Sequence, residues 1–268
     1  QTTPPTAGTQ SSAVAAGDLI FSTYLSGVNQ DTVRDVAYDS DGNIYVTGGT
    51  ASPSFPTTAG TFQQNLNNTG ICPHPSTDAQ DKFMDVFITK LNPQGVIQWS
   101  TLIGGPCYDR TYAIEVVGNS SNAQIYIAGR AGENFPTTQG RAFIQQASPV
   151  FEGIYGQQNA FIAKFNHLGQ RVWATYLQDQ NGANGTTNNT GLFRDIALDA
   201  PGNIFAVTTN FGAYKFAPTP VWPPVWQKAI SSSFTGPTVR TFGDSTGNYV
   251  YVEGAATASG LTTSGIPG

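Results

Sequence analysis

Hydrophobic and polar positions alternate with a period of two along most of the chain. Asn43-Ile-Tyr-Val-Thr-Gly48, Phe87-Ile-Thr-Lys-Leu91 and Gln124-Ile-Tyr-Ile-Ala-Gly129 are short, rich in β-branched and aromatic residues, and bounded by Gly, Asn, Asp and Pro. That is the pattern of β-strands and tight turns. No segment carries a convincing amphipathic helical period. No apolar run approaches the roughly 18 residues that a membrane-spanning helix needs.

The strand patterns repeat. Phe21-Ser-Thr-Tyr-Leu25 returns as Trp99-Ser-Thr-Leu-Ile103 and Trp173-Ala-Thr-Tyr-Leu177. Asp35-Val-Ala-Tyr-Asp39 returns as Asp195-Ile-Ala-Leu-Asp199, with Tyr112–Val117 as a weaker copy. Asn43–Gly48 returns at Gln124 and Asn203, and Phe87-Ile-Thr-Lys-Leu-Asn-Pro-Gln-Gly95 as Phe161-Ile-Ala-Lys-Phe-Asn-His-Leu-Gly169. Phe55-Pro-Thr-Thr58 returns as Phe135-Pro-Thr-Thr138. Each unit therefore holds four strands, a to d; in the first they are Arg34–Asp39, Ile44–Gly48, Val86–Leu91 and Val96–Leu102. Tandem four-stranded antiparallel units predict an all-β fold of β-propeller blades, because one such sheet buries its faces only against its neighbours.

The third unit has drifted. One alignment makes Val239–Gly247 its strand c and Asn248–Val252 its strand d; a rival makes Asp244-Ser-Thr-Gly-Asn248 the a–b turn of a fourth unit. The b-to-c spacing favours the first, with 36 residues from Asn203 to Val239 against 37 from Gln124 to Phe161. On this reading residues 1–17 are a flexible leader, 18–33 a lone outer strand, 34–103, 104–177 and 178–254 three blades, and 255–268 a polar tail. About three blades plus one N-terminal strand leave open sheet edges. The expectation is a propeller completed by further sequence or by other chains.

These boxes resemble the bacterial seven-bladed β-propeller repeat family SBBP. Its repeat runs through a Ser-Thr-Tyr-Leu-Gly-Gly box, an Ala-x-Asp-x-x-Gly-Asn-x-Tyr-Val-Thr-Gly box, a Phe-Pro-Thr-Thr box and an Asp-x-Phe-x-x-Lys-Leu-Asn box. The similarity covers roughly Asp18 to Gly254, and the third unit holds only fragments. It implies exported, surface-associated bacterial proteins, often of the Bacteroidota type, and it implies no catalytic residue set.

Composition narrows the partners. Charged residues are 11% of the 268, Lys and Arg number 12, and the net charge is −5. That sparse positive charge offers no stripe for nucleic acid. The polar surface comes from Thr, Ser, Asn and Gln, as is common in proteins that work outside cells. Gln1–Ala16 is Thr/Pro/Ala/Ser-rich, and the two Cys and one Met suit an exported chain.

Turns alternate between the two ends of a propeller. The a–b turns (Asp39–Asn43, Asp199–Asn203) and c–d turns (Asn92–Gly95, Asn166–Gly169) are tight, whereas the b–c and d–a connections at the other end are long. Long loops on a rigid scaffold are where binding usually resides. Cys72 and Cys107 both fall in long loops on that face, so an oxidising compartment predicts a Cys72–Cys107 disulfide; the alternative is two free thiols. Phe211, Tyr214, Phe216, Trp222 and Trp226 form a candidate aromatic binding loop for sugars or proteins, or else pack onto the blade beneath. Thr32 and Ser245 stand in the Asp-Ser/Thr-x pattern of Bacteroidota O-glycosylation.

No catalytic, metal or cofactor site is predicted. The serines lack a nucleophile-elbow context, and His74 and His167 lie on opposite faces, so no Ser-His-Asp constellation can be argued. Asp39-Ser-Asp-Gly-Asn43 has the look of a calcium loop but lacks the closing Glu, and reads as a hairpin turn. Asp35 and Asp195 either line a channel or bind a cation, or they satisfy backbone N–H groups at the start of strand a, which is the favoured reading. The chain therefore reads as a non-catalytic exported module, secreted or at a bacterial cell surface, for structure, adhesion and protein interaction. Its partners would be other chains, including those of an assembly, or further blades of its own. The alternative is a carbohydrate-binding or glycan-active propeller enzyme.

Overall fold

The computed structural model describes residues 21–68, 70–72, 83–138, 158–176, 192–208, 212–219, 225–229, 235–244 and 247–255. The leader, most of the tail, His74, Phe211, Trp222 and Ser245 lie outside these residues.

All the regular structure described is β. The first sheet contains β1 (Asp31–Tyr38), β2 (Ile44–Thr50), β3 (Asp85–Leu91) and β4 (Ile97–Ile103), paired in that order. The second contains β5 (Asp109–Val117), β6 (Gln124–Ala131), β7 (Asn159–Asn166) and β8 (Arg171–Tyr176). The third contains β9 (Phe193–Leu198), β10 (Ile204–Thr208), β11 (Gly212–Phe216) and β12 (Trp226–Ala229). A two-stranded sheet of β13 (Thr235–Asp244) and β14 (Gly247–Ala255) follows. Every strand pair is antiparallel.

The first strands of successive sheets touch in series, β1 with β5, β5 with β9 and β9 with β13. They are the inner strands of radially arranged blades, so the fold is an unclosed β-propeller. The core lies between blades. Tyr45, Val86, Ile88 and Trp99 of the first pack on Ile125, Ile127, Phe161 and Phe165 of the second. Tyr126, Ile162 and Trp173 of the second pack on Phe193, Ile204 and Tyr214 of the third. Ala197, Phe205 and Val207 meet Val239 of β13.

Two repeated contacts hold the register. The Thr of each Phe-Pro-Thr-Thr box ties the b–c loop to strand d of its own blade: Thr58 N–H donates to Ser100 O at 2.9 Å, and Thr138 N–H to Ala174 O at 2.9 Å. At one repeat position, the rings of Phe21 and Trp99 each lie over the c–d turn glycine of the blade that follows. Gly95 and Gly169 have φ of +80° and +73°. A Cβ at either would come within 2.8 Å of Phe21 or Trp99 respectively. Phe21 thus occupies the place of Trp99, one blade earlier. Phe21–Gln30 nevertheless forms no strand, because no described residue supplies a strand c beside it.

The third blade corrects the spacing argument. Its strand c is β11, three residues beyond β10, and its strand d is β12; Val239 and Asn248–Val252 belong instead to β13 and β14. The fourth-unit alignment is the one adopted, and the described residues hold three four-stranded blades and the first two strands of another. Lys215 marks the register. It sits over Phe205 at 5.0 Å, as Lys90 sits over Tyr45 at 5.2 Å and Lys164 over Tyr126 at 4.9 Å.

Candidate functional site

The long connections of the first two blades converge where strands a and c begin, and they are held tightly. Cys72 of the first b–c loop and Cys107 of the following d–a loop form a disulfide. Three carboxylates bind loop donors at the same end. Asp31 accepts from Gly27 N–H at 2.7 Å and Ser52 Oγ at 2.9 Å. Asp109 accepts from Gly105 N–H at 2.6 Å and Gly132 N–H at 2.8 Å. Asp85 accepts from Gln63 Nε2 at 2.7 Å and Asn67 N–H at 2.9 Å. Burial pushes the Asp85 carboxyl up to about 7, its two hydrogen bonds opposing the rise. Burial, and then the neighbouring Asp85 charge, raise Asp109 well above the ordinary carboxyl range. Sequence reasoning missed this set. Its signal is a repeated Gly-x-x-x-Asp spacing, Gly27 to Asp31 and Gly105 to Asp109.

Nearer the axis, cationic side chains surround one ring. A β-bulge falls at the same place in three inner strands and leaves Arg34, Tyr112 and Arg194 out of the ladder of β1, β5 and β9. Around the Tyr112 ring stand the guanidinium carbons of Arg194 at 4.8 Å, Arg34 at 5.5 Å, Arg130 at 5.7 Å and Arg110 at 5.8 Å. Arg110 and Arg130 face each other across β5 and β6. Both donate to the Tyr108 hydroxyl, at 2.9 and 3.1 Å. Burial lowers the Arg194 pKa, and the positive charges of Arg130 and Arg34 add to the fall, against an opposing contribution from Tyr112. No motif announced this cluster.

The aromatic binding loop is corrected. Tyr214 and Phe216 are buried strand residues of β11, packed with Phe193 between the second and third blades. Trp226 is half-buried against Phe205 at 6.1 Å. These rings are core because β11 follows β10 directly and brings them into the sheet. Phe211 and Trp222 lie outside the described residues.

The remaining candidates find structural places. Asp39 accepts from Asp41 N–H, Asn43 N–H, Asn43 Nδ2 and the Tyr45 hydroxyl, and pairs with Lys90 at 3.6 Å. Asp199 repeats the clamp with Asn203, and Lys215 stands 4.0 Å away. The Asp39 carboxylate is thus occupied by the turn. Among the described residues no group of three or more His, Cys, Asp or Glu is arranged to hold a metal ion. Asp35 and Asp195 bind backbone N–H groups of their own and the next inner strand. Thr32 is half-buried in β1, paired with Gly49. His167 lies in the c–d turn at the opposite end, and its carbonyl accepts the Trp99 indole N–H at 2.8 Å.

Comparison with known proteins agrees with this architecture. An uncharacterised WD repeat-containing protein, L264 of Acanthamoeba polyphaga mimivirus, is 25% identical over 160 residues, or 59% of this chain. The chain spans only 11% of that relative's length. A family model described as the SBBP β-propeller repeat matches residues 20–56, from the unpaired Phe21 segment through β1 and β2 to the Phe55 box. In those residues the chain is similar to the SBBP repeat, and its blades are those of a β-propeller.

Proposed function

We propose that this chain is a non-catalytic, exported interaction module, secreted or held at a bacterial cell surface, that binds other proteins through the end carrying its long loops. The observation behind the reading is the asymmetry of the two ends. One end consists of tight turns built on Asp39 and Asp199. The other carries long connections stapled by the Cys72–Cys107 disulfide and anchored by Asp31, Asp85 and Asp109. Loops held on a rigid scaffold recognise partners with little ordering cost. A disulfide fits an oxidising compartment. No helix among the described residues is long and apolar enough to cross a membrane. A structural or adhesive role, including that of an assembly subunit, follows from the same face. The glycan alternative loses Tyr214 and Phe216 as exposed rings, since both are buried.

The test is site-specific photo-crosslinking in the native host. A crosslinker in place of the exposed loop residue Ile71 should capture a discrete protein adduct, and one in place of Gln94 in the opposite c–d turn should not. Equal capture at both positions, or none at Ile71, overturns the reading.

A further inference from the structure

We propose that the arginine ring around Tyr112 is a binding site for a tetrahedral oxyanion, a phosphate or sulfate group. The proposal names a ligand for the loop end and rests on that end being the binding face. Four of the chain's 12 Lys and Arg residues converge here, in a molecule of net charge −5. They come from three successive blades, Arg34 from the first, Arg110 and Arg130 from the second, and Arg194 from the third. The Tyr112 ring attracts cations through its quadrupole, and the four guanidinium groups gather around it. Like charges held this close repel, and Arg194 feels both Arg34 and Arg130. The carboxylates neighbouring these arginines in sequence are engaged with backbone donors. Asp35 accepts from Val36 and Ile114, Asp109 from Gly105 and Gly132, and Asp195 from Ile196 and Val239.

Two further features suit an anion. Arg110 is only 5% exposed, and its Nε is buried with no hydrogen-bond partner. A buried donor of that kind is costly unless an acceptor reaches it. Exposure is also graded: Arg34 is exposed, Tyr112 and Arg194 are half-buried, and Arg110 and Arg130 are buried. The cluster thus has an open rim and a closed floor. Planar guanidinium groups match the paired oxygens of phosphate and sulfate.

The experiment is calorimetric titration of the 268-residue chain at constant ionic strength with four probes: inorganic phosphate, inorganic sulfate, phenyl phosphate and phenyl sulfate. Binding of the free ions assigns a free-ion ligand; binding of the esters alone assigns a phosphorylated or sulfated molecule. Either result supports the site if Arg34→Glu and Arg194→Gln each weaken affinity by about tenfold or more. A Gln94→Glu control at the far end should stay within about twofold. Arg34→Glu alters an exposed side chain and supplies a carboxylate to the cluster, so it should also raise the melting temperature of the ligand-free protein. No heat from any probe at concentrations of about 20 mM, or equal affinity in Arg34→Glu, overturns the proposal. Neither failure touches the photo-crosslinking result at Ile71, so the two readings fail separately.

Discussion

Asp35 and Ile114 are joined across the first blade interface. The carboxylate takes Val36 N–H of its own strand at 2.8 Å and Ile114 N–H of the next inner strand at 2.9 Å. Asp195 repeats this two blades on, with Ile196 at 3.0 Å and Val239 at 2.9 Å. One side chain thereby satisfies two backbone donors, tying β1 to β5 and β9 to β13. Asp195→Ala should cost about 2–3 kcal/mol in urea unfolding, because it orphans two buried N–H groups. Asp195→Asn should cost about half as much. A loss under about 0.5 kcal/mol for Asp195→Ala would show that the bridge does not hold the blades.

Trp99 and Trp173 test the apolar contacts between blades. Each is buried and meets a tyrosine of its own blade edge-on, Tyr45 at 6.1 Å and Tyr126 at 6.3 Å. Replacing either with Ala should cost about 3–5 kcal/mol. Trp99→Phe keeps most of the burial but loses the indole bond to His167 O, so a smaller loss that includes about 1 kcal/mol for that bond is expected.

The buried carboxyls set a pH dependence. Asp85 titrates near 3.8 when unfolded and near 7 in the fold, and Asp109 is raised in the same sense. Between those values the folded chain holds the extra proton. The contribution of these groups to stability is therefore greatest at the acidic end and is lost as pH rises through about 7. Asp85→Asn should flatten the fall in urea stability between about pH 4 and pH 8. An unchanged slope in that variant would place the titration elsewhere.

The disulfide joins residues 35 apart in sequence. Its chain-entropy contribution is about 3–4 kcal/mol. Non-reducing peptide mapping should recover one Cys72–Cys107 linked peptide, and Cys72→Ser with Cys107→Ser should lower stability by about that amount. Two alkylatable thiols in the native protein would refute the staple.

The outer face of the first blade should respond differently from the others. Val36, Ile114, Ile196 and Val239 share one repeat position, yet Val36 is 58% exposed and the others 4%, 0% and 1%. The latter three are each covered by a preceding blade. In the isolated chain, Val36→Ala should cost under about 0.5 kcal/mol and Ile196→Ala about 2–5 kcal/mol. A comparable cost at both, with dimer mass in light scattering, would show a second copy covering the first blade.

The sequence by itself determined the blades of the first two units, because their information is local. Period-two alternation, the Asp-x-x-Gly-Asn turn and the Lys of strand c each act within a few residues of where they stand. Lys215-Phe216 echoes Lys164-Phe165, so strand c of the third blade was also written there. Equal b-to-c spacing in the sequence concealed it, since pairing of β10 with β11 depends on register and tolerates almost any connection length. Burial followed from that pairing: Tyr214 and Phe216 are core only because their strand docks against the second blade. The arginine ring was decided by tertiary structure alone. Arg34, Tyr112 and Arg194 stand some 80 residues apart along the chain, and nothing local marks them. Bulges at one place in three inner strands, arranged about a common axis, bring them to one ring. A bulge is a property of two paired strands, and an axis is a property of several blades, so neither can be read from any single segment.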